Sequence, residues 1–158
     1  MADQAHAPKH ARDIFTKPVL DRIAKVIGEI ERTITAEIRV SLKDERDHDD
    51  AGITTEEMAK REFIRLDMQK TNGRNAILLF ILYEERKFYV YGDTGIHDRV
   101  HPETWEDVAA SLKEHFKHGR FEEGVIESLR KILNHLHTAF ASSSNEGKNE
   151  LSNEVIVR

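Results

Sequence analysis

The chain has 158 residues, of which 39% are hydrophobic and 34% charged, so it can form one domain with an apolar core. Its net charge of −5 argues against a nucleic-acid-binding protein, which normally presents a basic face. The chain has no cysteine, which excludes disulfides, thiolate metal sites and a cysteine nucleophile. No stretch reaches transmembrane length and no apolar signal segment is present, so we expect a cytoplasmic protein without membrane insertion.

The first third of the chain predicts a tail, a helix and a strand. Residues 1–12 are small and polar and predict a disordered tail. Residues 17–33 carry apolar side chains at three- and four-residue steps, which predicts a helix capped by Thr16. Residues 35–42 alternate between apolar and polar side chains. This alternation predicts a strand that is covered on one face only.

An acidic loop follows, with five acids among residues 43–52. A calcium-binding EF-hand register starting at Asp47 puts Gly52 at the glycine position. However, Ala51 and Met58 fall where oxygen ligands belong. We therefore favour a solvated loop over a calcium loop here.

The middle of the chain predicts a helix followed by a β-hairpin. Thr54 and Glu57 have capping-box spacing at the start of a helix that should run to about residue 70. Residues 76–83 are almost wholly apolar, and residues 87–91 alternate after a short polar break. The two runs predict a hairpin, and the preceding strand and helix make a parallel βαβ unit with its first strand.

The last part of the chain predicts a glycine-rich loop and two helices. The loop Gly92-Asp93-Thr94-Gly95 has two residues that can adopt positive φ. Apolar stripes then predict a helix starting near Pro102 and a last helix ending near Phe140. Residues 141–158 are expected to form a flexible tail, and the alternative is that the final residues dock as a short extended segment.

Together these elements predict a single-domain α/β/α sandwich over residues 13–140, built around a small mixed sheet. The sheet consists of the βαβ unit plus an antiparallel hairpin strand. Because the first two strands are parallel, the acidic loop and the turn Glu84-Glu85 should lie at one end of the sheet. The loop after the hairpin should lie at the opposite end, beside the starts of both parallel strands. The two acidic groups therefore cannot form one site.

The second end is our candidate metal site, because its carboxylates follow a tight loop. Oxygen ligands suit a hard cation, and we expect Ca²⁺ in preference to Mg²⁺. The candidate ligands are Glu37, Asp93, Asp98 and Asp107. The alternative is that Asp93 caps its own turn and that Asp98 or Glu103 pairs with Arg99.

Three segments resemble the TPM-domain family: "TAEIRV", "NGRNAILLFILYEERKFYVYGDTGI" and "FKHGRFEEGVIESL". The most specific features are Arg86 in the hairpin and a repeated aromatic–glycine pattern, Phe116, Gly119, Phe121 and Gly124. The resemblance covers residues 14–140, and the tail "NELSNEVIV" is similar to that of short soluble bacterial members. It implies an α/β/α sandwich, divalent-cation binding in some members, weak acid phosphatase activity in plastid members and roles in maintaining membrane protein complexes.

The sequence contains no G-x-S-x-G motif, phosphate-binding loop or other catalytic spacing. We therefore predict a non-enzymatic interaction or assembly module, acting as a monomer on an unidentified protein partner, with Ca²⁺ as a possible cofactor. The alternative function is a weak acid phosphatase that depends on a divalent metal. A third reading is a scaffold without metal, recognised through the aromatic surface near Tyr89 and Tyr91.

Overall fold

The computed structural model describes residues 10–98, 100–137 and 151–158. Four strands and six α-helices lie in these ranges, with short 3₁₀ turns at His48–Asp50 and Pro102–Trp105. The helices are α1 (Ala11–Ile14), α2 (Lys17–Glu31), α3 (Thr55–Arg65), α4 (Thr94–His97), α5 (Glu106–Lys117) and α6 (Phe121–His137). The strands are β1 (Glu37–Lys43), β2 (Ala76–Leu82), β3 (Lys87–Gly92) and β4 (Ile156–Val157).

The strands form one mixed sheet in the order β3-β2-β1-β4. β1 and β2 are parallel, with Glu37 opposite Ala76, and β2 and β3 form the predicted antiparallel hairpin. Arg86 adopts a φ of 54° at the hairpin turn, a conformation that lets the short connection reverse the chain. The α/β fold with a parallel βαβ unit and an antiparallel hairpin strand is therefore confirmed.

Helices cover both faces of the sheet and make a three-layer structure. On one face, α2, α5 and α6 pack against Ile38, Val40, Ile77 and Leu79 and form the larger core. The all-apolar strand β2 is buried on both faces, as its composition predicts. No helix among the described residues is long and apolar enough to cross a bilayer.

The other face is covered by α3, which changes the interpretation of β1. Met58, Ala59 and Phe63 of α3 pack against the second face of β2 in a smaller core. Glu37 and Ser41, on this second face of β1, are 7% and 0% exposed. The prediction of a half-covered strand is therefore wrong, because polar side chains on β1 are buried in specific contacts rather than solvated.

Both predicted tails differ from expectation within the described ranges. Helix α1 begins at Ala11, which is fully buried, although residues 1–12 are predicted as a disordered tail. At the other end, Ile156–Val157 pair with Ser41 and Leu42 as a parallel edge strand, so the docked alternative describes these residues. The remaining residues of the two predicted tails, 1–9 and 141–150, lie outside the described part of the chain, as does the predicted helix end at residue 140.

The loop after the hairpin also differs from its prediction. Gly92 is the last residue of β3, and Gly95 lies inside the short helix α4, so neither glycine has a positive φ. Gly95 is needed for close approach instead: a Cβ atom there would lie 2.4 Å from the carbonyl oxygen of Gly73 and 2.7 Å from that of Arg74. Neither glycine therefore uses the positive φ that it can adopt, and α4 packs directly against the connection that precedes β2.

Candidate functional site

Asp93 lies at the predicted end of the sheet, where its carboxylate is fully engaged. It is 4% exposed and begins α4, accepting a hydrogen bond from the N–H of Thr94. The guanidinium of Arg74 donates to both carboxylate oxygens, at 2.7 and 2.8 Å. A bidentate pair of this kind fixes both partners in orientation. The carboxylate therefore holds α4 against the start of β2, and the predicted alternative in which Asp93 caps its own turn is also observed.

The three other predicted ligands have separate surroundings. Glu37 is buried at the start of β1 and accepts a hydrogen bond from the N–H of Leu151 at 2.8 Å. Asp107, on α5, contacts His135 of α6 at 2.8 and 2.9 Å. Asp98 is exposed at the end of α4. Its predicted alternative partner, Arg99, lies outside the described residues.

These contacts bear on whether the four carboxylates fit a hard cation. Within residues 10–98, 100–137 and 151–158, no three His, Asp or Glu side chains come together in a way that could hold a metal ion. Both oxygens of Asp93 already accept from a guanidinium, and those of Asp107 lie against an imidazole. In this arrangement the predicted ligand set does not fit a Ca²⁺ site.

A second carboxylate lies close to Glu37 at the same end of the sheet. Glu31, at the end of α2, accepts a hydrogen bond from the N–H of Ile38 at 2.8 Å. Burial raises the pKa of Glu31 to about 8, and the charge of Glu37 adds to this effect against the opposing hydrogen bond. Glu31 is therefore largely protonated at neutral pH, which reduces the repulsion between the two carboxyl groups.

The acidic loop at the opposite end is neutralised by cations from neighbouring elements. Lys43, at the end of β1, contacts Asp47 and Asp50 at 2.8 Å each. Burial is the largest influence and works to raise the pKa of Asp50, but the hydrogen bonds from Lys43 and from the N–H of Asp47, together with the charges of Lys43 and Arg61, hold that pKa below its ordinary value. Arg46 pairs with Glu85 at 2.6 Å, which places the loop beside the hairpin turn as the topology predicts. The loop thus forms ion pairs through Asp47 and Asp50, while the side chains of Glu45, Asp47 and Asp49 are exposed to solvent.

Glu62 is the buried centre of a related cluster on α3. It is 6% exposed and accepts hydrogen bonds from Ser41 at 2.6 Å, from Arg65 at 2.8 and 3.0 Å, and from Arg158 at 2.7 Å. Burial is the largest influence and works to raise the pKa of Glu62, but the hydrogen bonds from Arg65 and Ser41, together with the charges of Arg158 and Arg65, hold that pKa below its ordinary value. Three elements, α3, β1 and the C-terminal segment, therefore meet at one carboxylate.

An apolar groove runs along the outer edge of β3. It has a volume of about 440 Å³, within the usual range for ligand pockets. The groove is lined by consecutive residues of β3, by the α4 region, by α5 with its preceding 3₁₀ turn, and by one residue of α3. Its principal side chains are Glu56, Phe88, Tyr89, Tyr91, Trp105 and Ala109. Aromatic side chains from β3 and from the 3₁₀ turn before α5 thus border one open concavity.

The aromatic side chains of β3 anchor the groove from both faces of the sheet. Phe88 packs edge-on against Phe116 of α5, with ring centroids 5.2 Å apart. On the other face Tyr91 packs against Phe63 of α3 at 4.9 Å. Burial, followed by the nearby charge of Glu56, raises the pKa of Tyr89. Tyr89 and Tyr91 are therefore half-buried beside α3, a placement that the sequence alone did not determine.

The sequence interpretation did not identify the groove or the role of Glu62. Glu62 had a detectable signal, because it shares the apolar face of α3 with Met58, Ala59 and Phe63, where an acid requires buried partners. The spacing of Trp105 places it in the apolar stripe of the helix that is predicted to start near Pro102. No local pattern places it beside β3, because the groove is formed by elements that are distant in sequence.

The whole described domain corresponds to one protein family. The family model described as the TPM domain matches residues 10–135. The chain belongs to the TPM-domain family. The match covers the elements from α1 to nearly the end of α6, so the resemblance found in the hairpin and the aromatic–glycine pattern extends over every described element except β4. No curated protein matches the chain.

Solved structures of similar fold include three bacterial proteins. The BA42 protein of the psychrophilic bacterium Bizionia argentinensis is 26% identical, with a TM-score of 0.79 over 90% of this chain and 94% of that one. The N-terminal domain of a P. gingivalis protein is 13% identical, with a TM-score of 0.64 over 78% of this chain and 77% of that one. The N-terminal domain of the cg2496 protein of Corynebacterium glutamicum is 13% identical, with a TM-score of 0.55 over 91% and 90%. The last two show similarity of fold alone.

Proposed function

We propose that this TPM-domain protein is a non-enzymatic interaction module, a cytoplasmic monomer that binds a segment of a partner protein in the groove beside β3. The observation that carries this proposal is the aromatic lining of that groove, with Phe88, Tyr89, Tyr91 and Trp105 around one open concavity. Protein interfaces are enriched in aromatic side chains, which provide large apolar contacts with few rotatable bonds.

The polar clusters at the two ends of the sheet support an interaction role over a catalytic one. Asp93 is held by Arg74, and Glu62 by Arg65 and Arg158, so these carboxylates already have cationic partners. Such pairs stabilise the positions of α4 and β4 relative to the sheet. Neither pair lines the groove, which separates the structural ion pairs from the proposed binding surface.

The test is to select binders from a random peptide library on the immobilised protein and measure their affinities for two matched variants. Ala109 lines the groove, whereas Ala110 follows it on α5, is exposed and does not line the groove. Ala109→Glu puts a charged side chain into the groove, and glutamate preserves helix propensity. We expect selected peptides to bind the wild type and Ala110→Glu equally, and to bind Ala109→Glu at least about tenfold more weakly, a loss equivalent to ~1.4 kcal/mol.

Two results would refute the proposed function. One is a library that yields no specific binder to the folded wild type. The other is a set of binders whose affinities are the same for both variants, since this would place their binding site elsewhere. Circular dichroism of both variants checks that α5 is intact.

The proposed interaction does not require the predicted Ca²⁺ site, which is tested separately by NMR spectra of the backbone amides with and without Ca²⁺, then Mg²⁺. Shifts confined to residues 92–98 and Glu37 would support the predicted site. Shifts at residues 44–50 would assign cation binding to the opposite end of the sheet, and an absence of shifts would leave interaction without metal as the function.

A further inference from the structure

The outer side of β3 is an open edge of the sheet. The strand order puts β3 at one end, and no strand of the described chain lies beyond it. The N–H of Asp93 donates to the carbonyl of Ala76 on β2. Because peptide groups alternate in direction along a strand, those of Tyr89 and Tyr91 also face β2. The peptide groups of Phe88, Val90 and Gly92 therefore face outward, into the groove.

The opposite edge shows how this sheet accepts an extended segment. There Ile156–Val157 pair with β1, and the N–H of Arg158 donates to the carbonyl of Leu42 at 2.8 Å. The guanidinium of Arg158 reaches the buried carboxylate of Glu62 at 2.7 Å. Main-chain pairing at a sheet edge is thus combined with a basic side chain that meets an acid on α3.

The β3 edge has corresponding features. Its six residues span roughly 20 Å, enough for a segment of five or six residues. Apolar contacts are available on both faces, from Phe88 and Trp105 on one side and Tyr89 on the other. Side chains of an added strand would alternate between these two surfaces. The groove is therefore suited to an extended segment with apolar side chains.

Charge at the groove specifies the segment further. Glu56 on α3 and Glu106 on α5 are both exposed and line opposite sides of the groove. Lys87, at one end of β3, shares Glu85 with Arg46 and does not line the groove. A second copy of this chain would bring the same two acids to the interface, which opposes self-pairing. A segment with lysine or arginine among its apolar residues complements both sides.

We propose that the outer edge of β3 binds an extended segment of a partner protein that combines apolar and basic residues, adding it to the sheet as a fifth strand. This inference rests on the proposed function and specifies the pairing mode and the chemistry of the partner. Main-chain hydrogen bonds provide affinity, and the two acids select basic residues.

The test uses three blocked seven-residue peptides with the isolated full chain. The probe repeats two valines and two lysines, so that each face of the added strand carries both residue types. A second peptide replaces each lysine with glutamate, and a third is the probe with two adjacent central backbone nitrogens methylated, which removes an N–H donor from each edge. A separate measurement follows the hydrogen exchange of the backbone amides of Phe88, Val90 and Gly92, with and without the probe. Affinities are measured by NMR, by following the backbone amide resonances of the protein as each peptide is added, at low and at high salt.

We expect the valine–lysine probe to bind saturably and to slow exchange of those three amides. The methylated peptide should bind on the order of tenfold more weakly, because main-chain hydrogen bonds are lost. The glutamate peptide should bind more weakly still, and Glu56→Gln with Glu106→Gln should remove most of the salt dependence of probe binding.

Equal binding of the methylated peptide and the probe would overturn strand addition and leave the proposed function intact. The same holds if library-selected peptides bind the groove while the probe does not, or if the three amides exchange unchanged. Failure of library selection as well would refute the proposed function itself. Neither set of results depends on a β3 variant that could fail to fold.

Discussion

One methyl group at Gly95 tests how closely α4 is held against the connection before β2. In Gly95→Ala the new Cβ would lie 2.4 Å from the carbonyl oxygen of Gly73 and 2.7 Å from that of Arg74. Both neighbours are backbone atoms, which cannot rotate away as a side chain can. Since carbon–oxygen contacts lie near 3.3 Å or beyond, the two segments must separate by roughly 0.9 Å.

That separation has two costs. Displacing packed backbone typically costs about 1–3 kcal/mol. It also stretches the hydrogen bond from the N–H of Gly95 to the carbonyl of Arg74, now 2.8 Å, whose loss is worth about 1 kcal/mol. We therefore expect Gly95→Ala to lower the free energy of unfolding by roughly 2–4 kcal/mol. The Asp93–Arg74 pair spans the same junction and should loosen with it.

Urea denaturation measures the effect, with Gly73→Ala as the matched control. Gly73 contributes one of the two clashing carbonyls, but a Cβ on Gly73 itself would meet only the side chain of Asn75, at 3.5 Å. This is an ordinary contact, so the control should change stability by less than about 1 kcal/mol. A Gly95→Ala protein whose unfolding free energy stays within ~0.5 kcal/mol of the wild type, at equal m-value, would show that the contact is not tight.

Three further predictions concern the charged groups. The pKa of Glu31 is raised to about 8, so its stabilising contribution is complete below pH ~4.5 and is lost as pH rises through 8. The free energy of unfolding of Glu31→Gln, relative to that of the wild type, should therefore rise by roughly 2–4 kcal/mol between pH 5 and pH 9. Urea denaturation at each pH measures it, and a difference that does not change with pH would contradict the raised pKa. Arg158→Ala should cost about 1–3 kcal/mol and raise the pKa of Glu62, as measured by carboxyl NMR; an unchanged pKa would exclude the contact. For an aryl phosphate we expect no turnover, and hydrolysis that disappears in Asp93→Asn would support the phosphatase alternative instead.

The hairpin and the βαβ unit could be predicted because their signals are local. The apolar run of β2 and the alternation of β3 each indicate a strand, and the short polar break between them indicates a turn. Helix α3 begins where Thr54 predicts, with the N–H of Glu57 donating to its side chain. Such features require only the period of a pattern and the residue types at its ends.

Features formed by distant residues could not be predicted in the same way. Strand β4 has two residues, too few for a periodic signal, and it forms because β1 offers an edge. Arg74 reaches Asp93 only because α4 is folded back onto the connection before β2. The predicted cation site treated Asp93 as available for a ligand, since the sequence gives no sign of this cationic neighbour. Local patterns therefore describe the elements, while pairing of side chains depends on how the elements pack.

The pairing of β4 with β1 also has a consequence for the order of folding. The N–H of Leu151 donates a hydrogen bond to Glu37, which is 114 residues away in sequence. The guanidinium of Arg158 donates to Glu62, which is 96 residues away. Closing loops of this length has a large entropic cost, whereas α5 and α6 are neighbours in sequence and contact each other extensively. We expect the helical layer and the first three strands to assemble before residues 151–158 attach. In the intermediate that precedes this last step, β1 has an exposed edge and Glu62 lacks one of its cations.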